Sequence, residues 1–144
     1  MKELNIVYSD HYLKYDTAGD DPVSKNKAPR FLQMIETDGK IPYKLFEPAK
    51  ATDGDILLAH TQRYLNEVKR SAANKLELAP DTPIDKDRLE CAYYMAGGSI
   101  MCLNLALEGK RVVNLIGGAH HASTFQSSGF CIFNAHAIGI RKFQ

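Results

Sequence analysis

Residues 111–122 (RVVNLIGGAHHA), continued by residues 127–134 (SSGFCIFN), form the stretch that decides the fold. The stretch opens with a short apolar run, residues 112–116, between charged residues and a pair of glycines. Such a run, when helices flank it in sequence, is typical of a strand buried on both faces of a parallel sheet. Ligands of open α/β sheets bind outside the carboxyl ends of the strands. The loop after this run, with the adjacent histidines His120 and His121, is therefore the first candidate for a functional site.

Strands and helices alternate along the rest of the chain. Strands are predicted at residues 4–8 and 43–46, helices at 30–38, 52–60, 61–73, 85–108 and 133–142, and loops at 9–29 and 74–84. Pro29 is predicted to open the first helix, and Thr52 with Asp55 predicts a capping box in which Asp replaces Glu. Gly97 and Gly98, inside the longest helix, predict close packing against a neighbour. The order predicts an α/β fold with a largely parallel sheet of three clear strands, fewer than an average sheet has.

Composition and charge are those of a single soluble globular domain. The 144 residues are 44% hydrophobic and 24% charged. A net charge of +1 and a pI near 7.7 give no electrostatic case for nucleic acid or for an anionic membrane. The longest apolar run is shorter than the roughly 20 residues that cross a bilayer, and the N-terminus lacks the apolar core of a signal peptide. Cys91, Cys102 and Cys131 show no metal-binding spacing, which favours free thiols in a reducing cytoplasm.

The adjacent histidines are better suited to proton transfer than to metal binding. Neighbouring side chains on an extended strand point in opposite directions, so a turn is needed to bring both rings of His120 and His121 to one cleft. Tandem spacing is poor for chelating one zinc ion, compared with histidines four residues apart on a helix. Imidazole titrates near neutral pH and is therefore well suited to general acid and base catalysis. The alternative is two structural histidines that cap loop carbonyls.

Residues 117–122 (GGAHHA) and 128–134 (SGFCIFN) closely resemble a signature of the zinc-dependent deacetylases, which include histone deacetylases, acetoin-utilisation proteins and acetylpolyamine amidohydrolases. The family pattern is Gly-Gly-x-His-His-Ala, a few residues, then Ser-Gly-Phe-Cys-x-x-Asn-Asp. Residues 55–65 (DILLAHTQRYL) resemble the family segment with His-x-x-x-Tyr-Leu. Residues 12–17 and 21–30 resemble a degenerate form of the family's N-terminal loop, His-Pro-Glu-x-Pro-x-Arg. The resemblance implies a three-layer, mostly parallel arginase-deacetylase fold, of which residues 1–144 form the N-terminal portion.

The resemblance also implies roles for individual residues. His121 would be the general base and acid, and His120 an electrostatic helper whose proton stabilises the developing oxyanion. The implied substrate tunnel takes an acylated lysine or a similar amine. Its predicted lining residues are Gly129 and Phe130 along the wall, Cys131 and Arg30 at the inner end, and Asp81 at the rim. An aromatic wall is physically suited to grip a methylene chain.

The chain also departs from the family pattern. The Asp-x-His pair, the later Asp that holds the metal and the tyrosine of the oxyanion site are not found, and no Asp or Glu follows His121. A hydrolytic zinc site needs about three protein ligands, so we predict that zinc belongs to a complete family member and that this chain alone holds none. Ala135 replaces the family Asp, and His136 is predicted to be a core or surface residue. His11 and His60 are predicted to be structural.

Two hypotheses follow from these observations. In the first, the chain is the tandem-histidine part of a deacetylase-like amidohydrolase, either a fragment or a shortened product, and is inactive alone. In the second, it is a non-catalytic module that associates with itself or binds partners. An incomplete parallel sheet leaves an unpaired edge and an open apolar face. The expected partners are an acyl-amine substrate if the enzyme is complete, and a second copy or the missing C-terminal half if it is not.

Overall fold

The computed structural model describes residues 3–15 and 26–144, and its elements follow an α/β order. The elements are β1 (Leu4–Val7), a 3-10 helix (Asp10–Lys14), α1 (Lys27–Asp38), β2 (Tyr43–Phe46), α2 (Asp53–Ile56), α3 (Gln62–Asn74), β3 (Glu77–Ala79), β4 (Thr82–Pro83), α4 (Lys86–Leu107), β5 (Val112–Asn114) and α5 (Ala135–Lys142). Residues 16–25, which include part of the two segments that resemble the family's N-terminal loop, lie outside the described residues.

The main sheet is parallel and has β1 at its centre. Its strand order is β2-β1-β5, with Leu4 opposite Tyr43 on one side of β1 and Asn5 opposite Val112 on the other. The prediction of a largely parallel sheet is confirmed. The prediction that residues 112–116 are buried on both faces is wrong, because β5 ends at Asn114 and its residues are only half-buried. Among the described residues, no strand pairs with the outer side of β5.

Other local predictions also differ from the structure. Residues 74–84 were expected to form a loop, but they contain the antiparallel pair β3 and β4. These strands have only three and two residues, too few for alternation to show in the sequence. Helix α1 begins at Lys27, before Pro29. A proline is tolerated there because the N–H groups of the first turn have no partner within the helix.

The predicted capping box and the predicted close packing of α4 are confirmed. The backbone N–H of Thr52 donates to Asp55 Oδ2 at 2.8 Å, and the N–H of Asp55 donates to Thr52 Oγ1 at 3.2 Å. A Cβ built on Gly97 would lie 1.9 Å from the carbonyl oxygen of Ala49. The glycine therefore lets α4 approach the backbone of the segment before α2.

The core lies between α4 and its neighbours and also holds the segment that follows the histidine loop. Helix α4 packs against β1, β5, α3, α5 and the 3-10 helix. Ile132, Phe133 and Ile138 are fully buried, so the chain on the carboxyl side of the histidine loop is anchored in the core. No helix within residues 3–15 and 26–144 is long and apolar enough to cross a membrane.

Candidate functional site

The tandem histidines face one pocket at the end of β5. The chain turns after the strand at Gly117 and Gly118, and Gly118 has a φ of 111°, a conformation that favours glycine. The turn ends the alternation of an extended strand, so His120 and His121 both line a pocket of about 470 Å³. Both side chains are exposed, their ring centroids are 4.1 Å apart, and their planes meet at 33°. Two imidazoles are therefore available to the same bound molecule.

A hydrogen bond determines the tautomer of His120. Its Nδ1 meets the carbonyl oxygen of Gly118. A carbonyl only accepts, so Nδ1 carries the hydrogen, and Nε2 of the neutral ring keeps its lone pair. His120 thus caps a loop carbonyl, as the structural alternative predicts, and still offers a proton-accepting nitrogen. Among the described residues, neither His120 nor His121 has a carboxylate partner.

The wall of the pocket beside His121 is a turn formed by Gly129 and Phe130. Both residues have positive φ, 54° and 63°. A Cβ on Gly129 would lie 2.8 Å from Cγ of His121, so the glycine backbone packs directly on that ring. The N–H of Gly129 donates to Asp81 Oδ2 at 3.0 Å, and the hydroxyl of Tyr15 donates to the carbonyl of Phe130. Contacts from two distant parts of the chain therefore hold the turn against His121.

The structure brings five of the seven predicted site residues to this pocket: His120, His121, Gly129, Phe130 and Cys131. Their proximity follows from the turn at Gly118 and from the return of the chain through the Gly129 turn. Their roles toward a substrate stay predictions, because proximity alone assigns no role.

Arg30 and Asp81 are not among the residues that line the pocket. Arg30 is exposed on α1 and lines a separate surface groove, so its predicted place at the inner end of the tunnel requires a correction. Lys27 lines the pocket instead; Arg30 lies about 4.5 Å farther along the helix axis at 1.5 Å per residue. Asp81 borders the pocket, and its Oδ1 accepts from the hydroxyl of Thr82 at 2.8 Å. Its predicted role at the rim stays a prediction.

The sequence patterns did not point to Tyr15, Lys27 or Met95, which also line the pocket. Tyr15 is buried although it belongs to a stretch predicted as a polar loop. An aromatic residue in such a loop was the one available signal. Met95 follows Ala92 by three residues on α4, so the helical spacing of apolar residues extends to it.

His60 is a structural histidine that supports the same loop. It is only 4% exposed, and its Nε2 accepts from the backbone N–H of Asn134 at 2.9 Å. Burial lowers the pKa of His60, although the backbone carbonyls of Thr124 and Ser123 near the ring act in the opposite direction. These carbonyls do not reach hydrogen-bond geometry with Nδ1. His60 therefore lies in the core and supports the loop through Nε2, whereas its buried Nδ1 has no hydrogen-bond partner among the described residues.

Comparison with known proteins decides the family. A family model described as the histone deacetylase domain matches residues 21–144. The chain belongs to the histone deacetylase family. An acetoin utilization protein of Bacillus subtilis is 28% identical over 160 residues, which cover all of this chain and 40% of the relative. Histone deacetylase 2 of Arabidopsis thaliana is 30% identical over 144 residues, which cover 92% of this chain and 37% of the relative.

Solved structures agree on the deacetylase fold. A histone deacetylase homologue from Aquifex aeolicus superposes with a TM-score of 0.84 at 22% identity, over 99% of this chain and 41% of that one. The HD domain of HDA15 superposes with a TM-score of 0.79 at 17% identity, over 97% of this chain and 43% of that one. The predicted α/β fold of the arginase-deacetylase type is confirmed, and this chain covers part of it.

The described residues do not fit the zinc ion that membership in the deacetylase family implies. Within residues 3–15 and 26–144, no group of three His, Cys, Asp or Glu side chains is placed to hold a metal ion. The tandem pair offers two nitrogens, whereas a catalytic zinc site uses about three protein ligands. The Nδ1 hydrogen of His120 is also engaged with Gly118. The two imidazoles that line the pocket are groups that can accept or donate a proton near neutral pH.

Proposed function

We propose that residues 1–144 form the N-terminal portion of a deacetylase-like amidohydrolase domain and carry its proton-handling histidines. The observation that carries this proposal is the placement of His120 and His121 side by side on one pocket. The match to the histone deacetylase model over residues 21–144 supports it. The proposed reaction removes an acetyl or acyl group from the amine of a lysine or a polyamine with water. Three free cysteines support a reducing, cytoplasmic setting.

In this proposal the two histidines have different tasks. Hydrolysis of an amide needs a base that takes a proton from the attacking water and an acid that returns it to the leaving amine. We assign both steps to His121: the water oxygen bonds to the acyl carbon, the carbon–nitrogen bond breaks, and the amine leaves with the proton. His120 has a free Nε2, and a proton there would place positive charge beside the developing oxyanion.

The substrate chain is expected to lie along the glycine and phenylalanine turn. Phe130 offers an aromatic face to a methylene chain, and the backbone of Gly129 leaves room because it carries no side chain. We keep Asp81 as a candidate for the rim and Cys131 for the inner end. The zinc of a complete deacetylase would require ligands from outside the described residues. We therefore expect the 144-residue chain alone to bind no stoichiometric zinc and to turn over no substrate.

The test uses this chain co-expressed with, or fused to, the C-terminal portion of the Bacillus subtilis relative. Turnover of an acetyl-lysine reporter and zinc content are measured together with the intact mass. We expect His121→Ala to lower kcat by about 10²- to 10⁴-fold, as removal of a general acid and base does, with an unchanged circular dichroism spectrum. His136→Ala is the matched control, because His136 is exposed and its ring lies 5.9 Å from that of His120. Unchanged turnover in His121→Ala would refute the assigned role.

A second candidate function is a non-catalytic module that self-associates. The observation that favours it is the outer edge of β5, which no strand covers among the described residues. Beside this edge, a groove of about 470 Å³ is lined by residues of α4, β5 and α5. An extended protein that folds but shows neither zinc nor turnover would favour this candidate over the deacetylase.

A further inference from the structure

The side chain of Asn134 connects three parts of the candidate site. Its Nδ2 donates to the carbonyl oxygen of His120 at 3.1 Å and to that of Ala122 at 2.9 Å. Its Oδ1 accepts from the N–H of Ala137 at 2.9 Å, which caps α5. Its own backbone N–H donates to His60. Every hydrogen-bonding group of one side chain is thus used between the histidine loop and the helix that follows it.

We propose that Asn134 is a positioning residue that sets the spacing and direction of His120 and His121. Asn134 holds the carbonyl of His120, the residue before His121, and the carbonyl of Ala122, the residue after it. Fixing both restricts the backbone on each side of His121. The side-chain amide of Asn134 is itself held in place. Its Oδ1 accepts from the first turn of α5, and the backbone N–H of Asn134 donates to buried His60. The catalytic consequence rests on the proposed function, whereas the positioning does not.

The chemistry of the amide suggests a selective variant. Asn134→Asp keeps an oxygen for the N–H of Ala137, and aspartate is as good a helix cap as asparagine. It replaces the Nδ2 donor with an oxygen that would face two carbonyl oxygens. Asn134→Ser also keeps a capping oxygen, but its side chain is too short to reach the loop and adds no charge. The two variants remove the same contacts in different ways.

Asn66 provides the matched control. It is exposed on α3, and its Oδ1 accepts from Gln62 at 2.9 Å. Asn66→Asp keeps that acceptor and adds the same negative charge away from the histidine loop. Any change that appears in Asn134→Asp and in Asn66→Asp alike is therefore an effect of charge.

The readout is NMR of the full 144-residue chain, which reports on the histidines without any substrate. In the unmodified chain, we expect the side-chain NH₂ protons of Asn134 to exchange with water about tenfold more slowly than those of Asn66, as one hydrogen bond of ordinary net strength implies. In Asn134→Asp and Asn134→Ser, we expect shifted ring Cε1–H signals of His120 and His121 and loss of the cross-peak between the two rings. In Asn66→Asp, these signals should not move.

Two results would overturn the proposal. One is a folded Asn134→Asp or Asn134→Ser chain whose ring signals and ring-to-ring cross-peak match the unmodified protein. The other, which needs no variant to fold, is equally fast exchange of the Asn134 and Asn66 side-chain amides in the unmodified chain. A failed deacetylase function gives a different pattern. In that case Asn134→Asp still displaces the rings, while His121→Ala leaves turnover of the extended protein unchanged.

Discussion

At the scale of single residues, the exposed histidines of the candidate site are held in place by other side chains around them. His60 is the main example, because its ring is buried and accepts the N–H of Asn134, whose side chain holds the histidine loop. The turn of Gly129 and Phe130 is likewise held by Asp81 and Tyr15. The exposed rings thus depend on buried or bordering partners for their placement, a common arrangement at precise sites.

The lowered pKa of His60 predicts a loss of stability in mild acid. As the pH falls below 6.5, the ordinary pKa of histidine, His60 becomes protonated in the unfolded state but stays neutral in the folded state. The free energy of unfolding therefore falls with falling pH. Thermal unfolding between pH 7 and pH 5 should therefore show a falling Tm. In His60→Gln, which keeps an acceptor and does not titrate, the Tm should fall less steeply over the same range.

Carboxylates act in a separate, lower range of pH. Side-chain hydrogen bonds from Lys69 and Lys14 lower the pKa values of Asp53 and Glu90. The stability that these two carboxylates contribute is present above their ordinary pKa values of 3.8 and 4.5 and is lost as the pH falls below them.

Equal slopes of Tm against pH for the original protein and His60→Gln between pH 7 and pH 5 would contradict the effect assigned to His60.

At the scale of elements, the close packing of α4 against the backbone before α2 depends on Gly97, which has no side chain. A methyl group on Gly97 would meet the carbonyl oxygen of Ala49 at 1.9 Å, and backbone cannot move away as a flexible side chain can. We expect Gly97→Ala to lower the free energy of unfolding by about 1 to 3 kcal/mol, the usual cost of overpacking, although alanine favours helix. Denaturant unfolding measures this change.

Gly54 in α2 is the control for this prediction. A Cβ there would meet only Thr52 Oγ1, at an ordinary distance of 3.6 Å. Gly54→Ala should therefore leave stability unchanged or raise it by up to about 1 kcal/mol, the helix preference of alanine over glycine. If Gly97→Ala were as stable as Gly54→Ala, α4 would not depend on the glycine for its approach.

At the scale of the whole molecule, the open edge beside β5 predicts association. Ile140 lines the groove along this edge and is 52% exposed. We expect the isolated chain to show a mass above the 16.1 kDa of one copy in light scattering at micromolar concentration, because association covers unpaired strand edges and apolar surface. Ile140→Lys should return the mass to that of one copy.

Met34 on α1 supplies the matched control for the edge. It is 59% exposed and lines a different groove, so Met34→Lys makes the same chemical change away from β5. This variant should keep the associated mass. A monomeric original chain, or equal behaviour of the two lysine variants, would remove the β5 edge as the cause of association.

The family, the three strands of the main sheet, the longer helices and the capping box could be predicted from the sequence because each depends on residues close together in the chain. The signature around His120 and His121 and the capping box at Thr52 are local patterns: the histone deacetylase family matches residues 21–144, and both hydrogen bonds of the capping box are present. Depth in the sheet could not be predicted this way. The apolar run around Val112 is typical of a central strand. The burial of a strand depends, however, on how many strands pair with it. In this sheet β1 has a strand on each side, whereas β5 has one only on the side of β1 among the described residues.

The site shows the same division. The sequence alone determined which residues are candidates for the site, because the tandem imidazoles are neighbours in the chain and so are Gly129 and Phe130. Only the tertiary structure decided that Tyr15 joins the pocket, that Arg30 lies outside it and that Asn134 holds the histidine loop. Those facts depend on where separate elements meet, and the packing of buried side chains around α4 sets that arrangement for the chain as a whole.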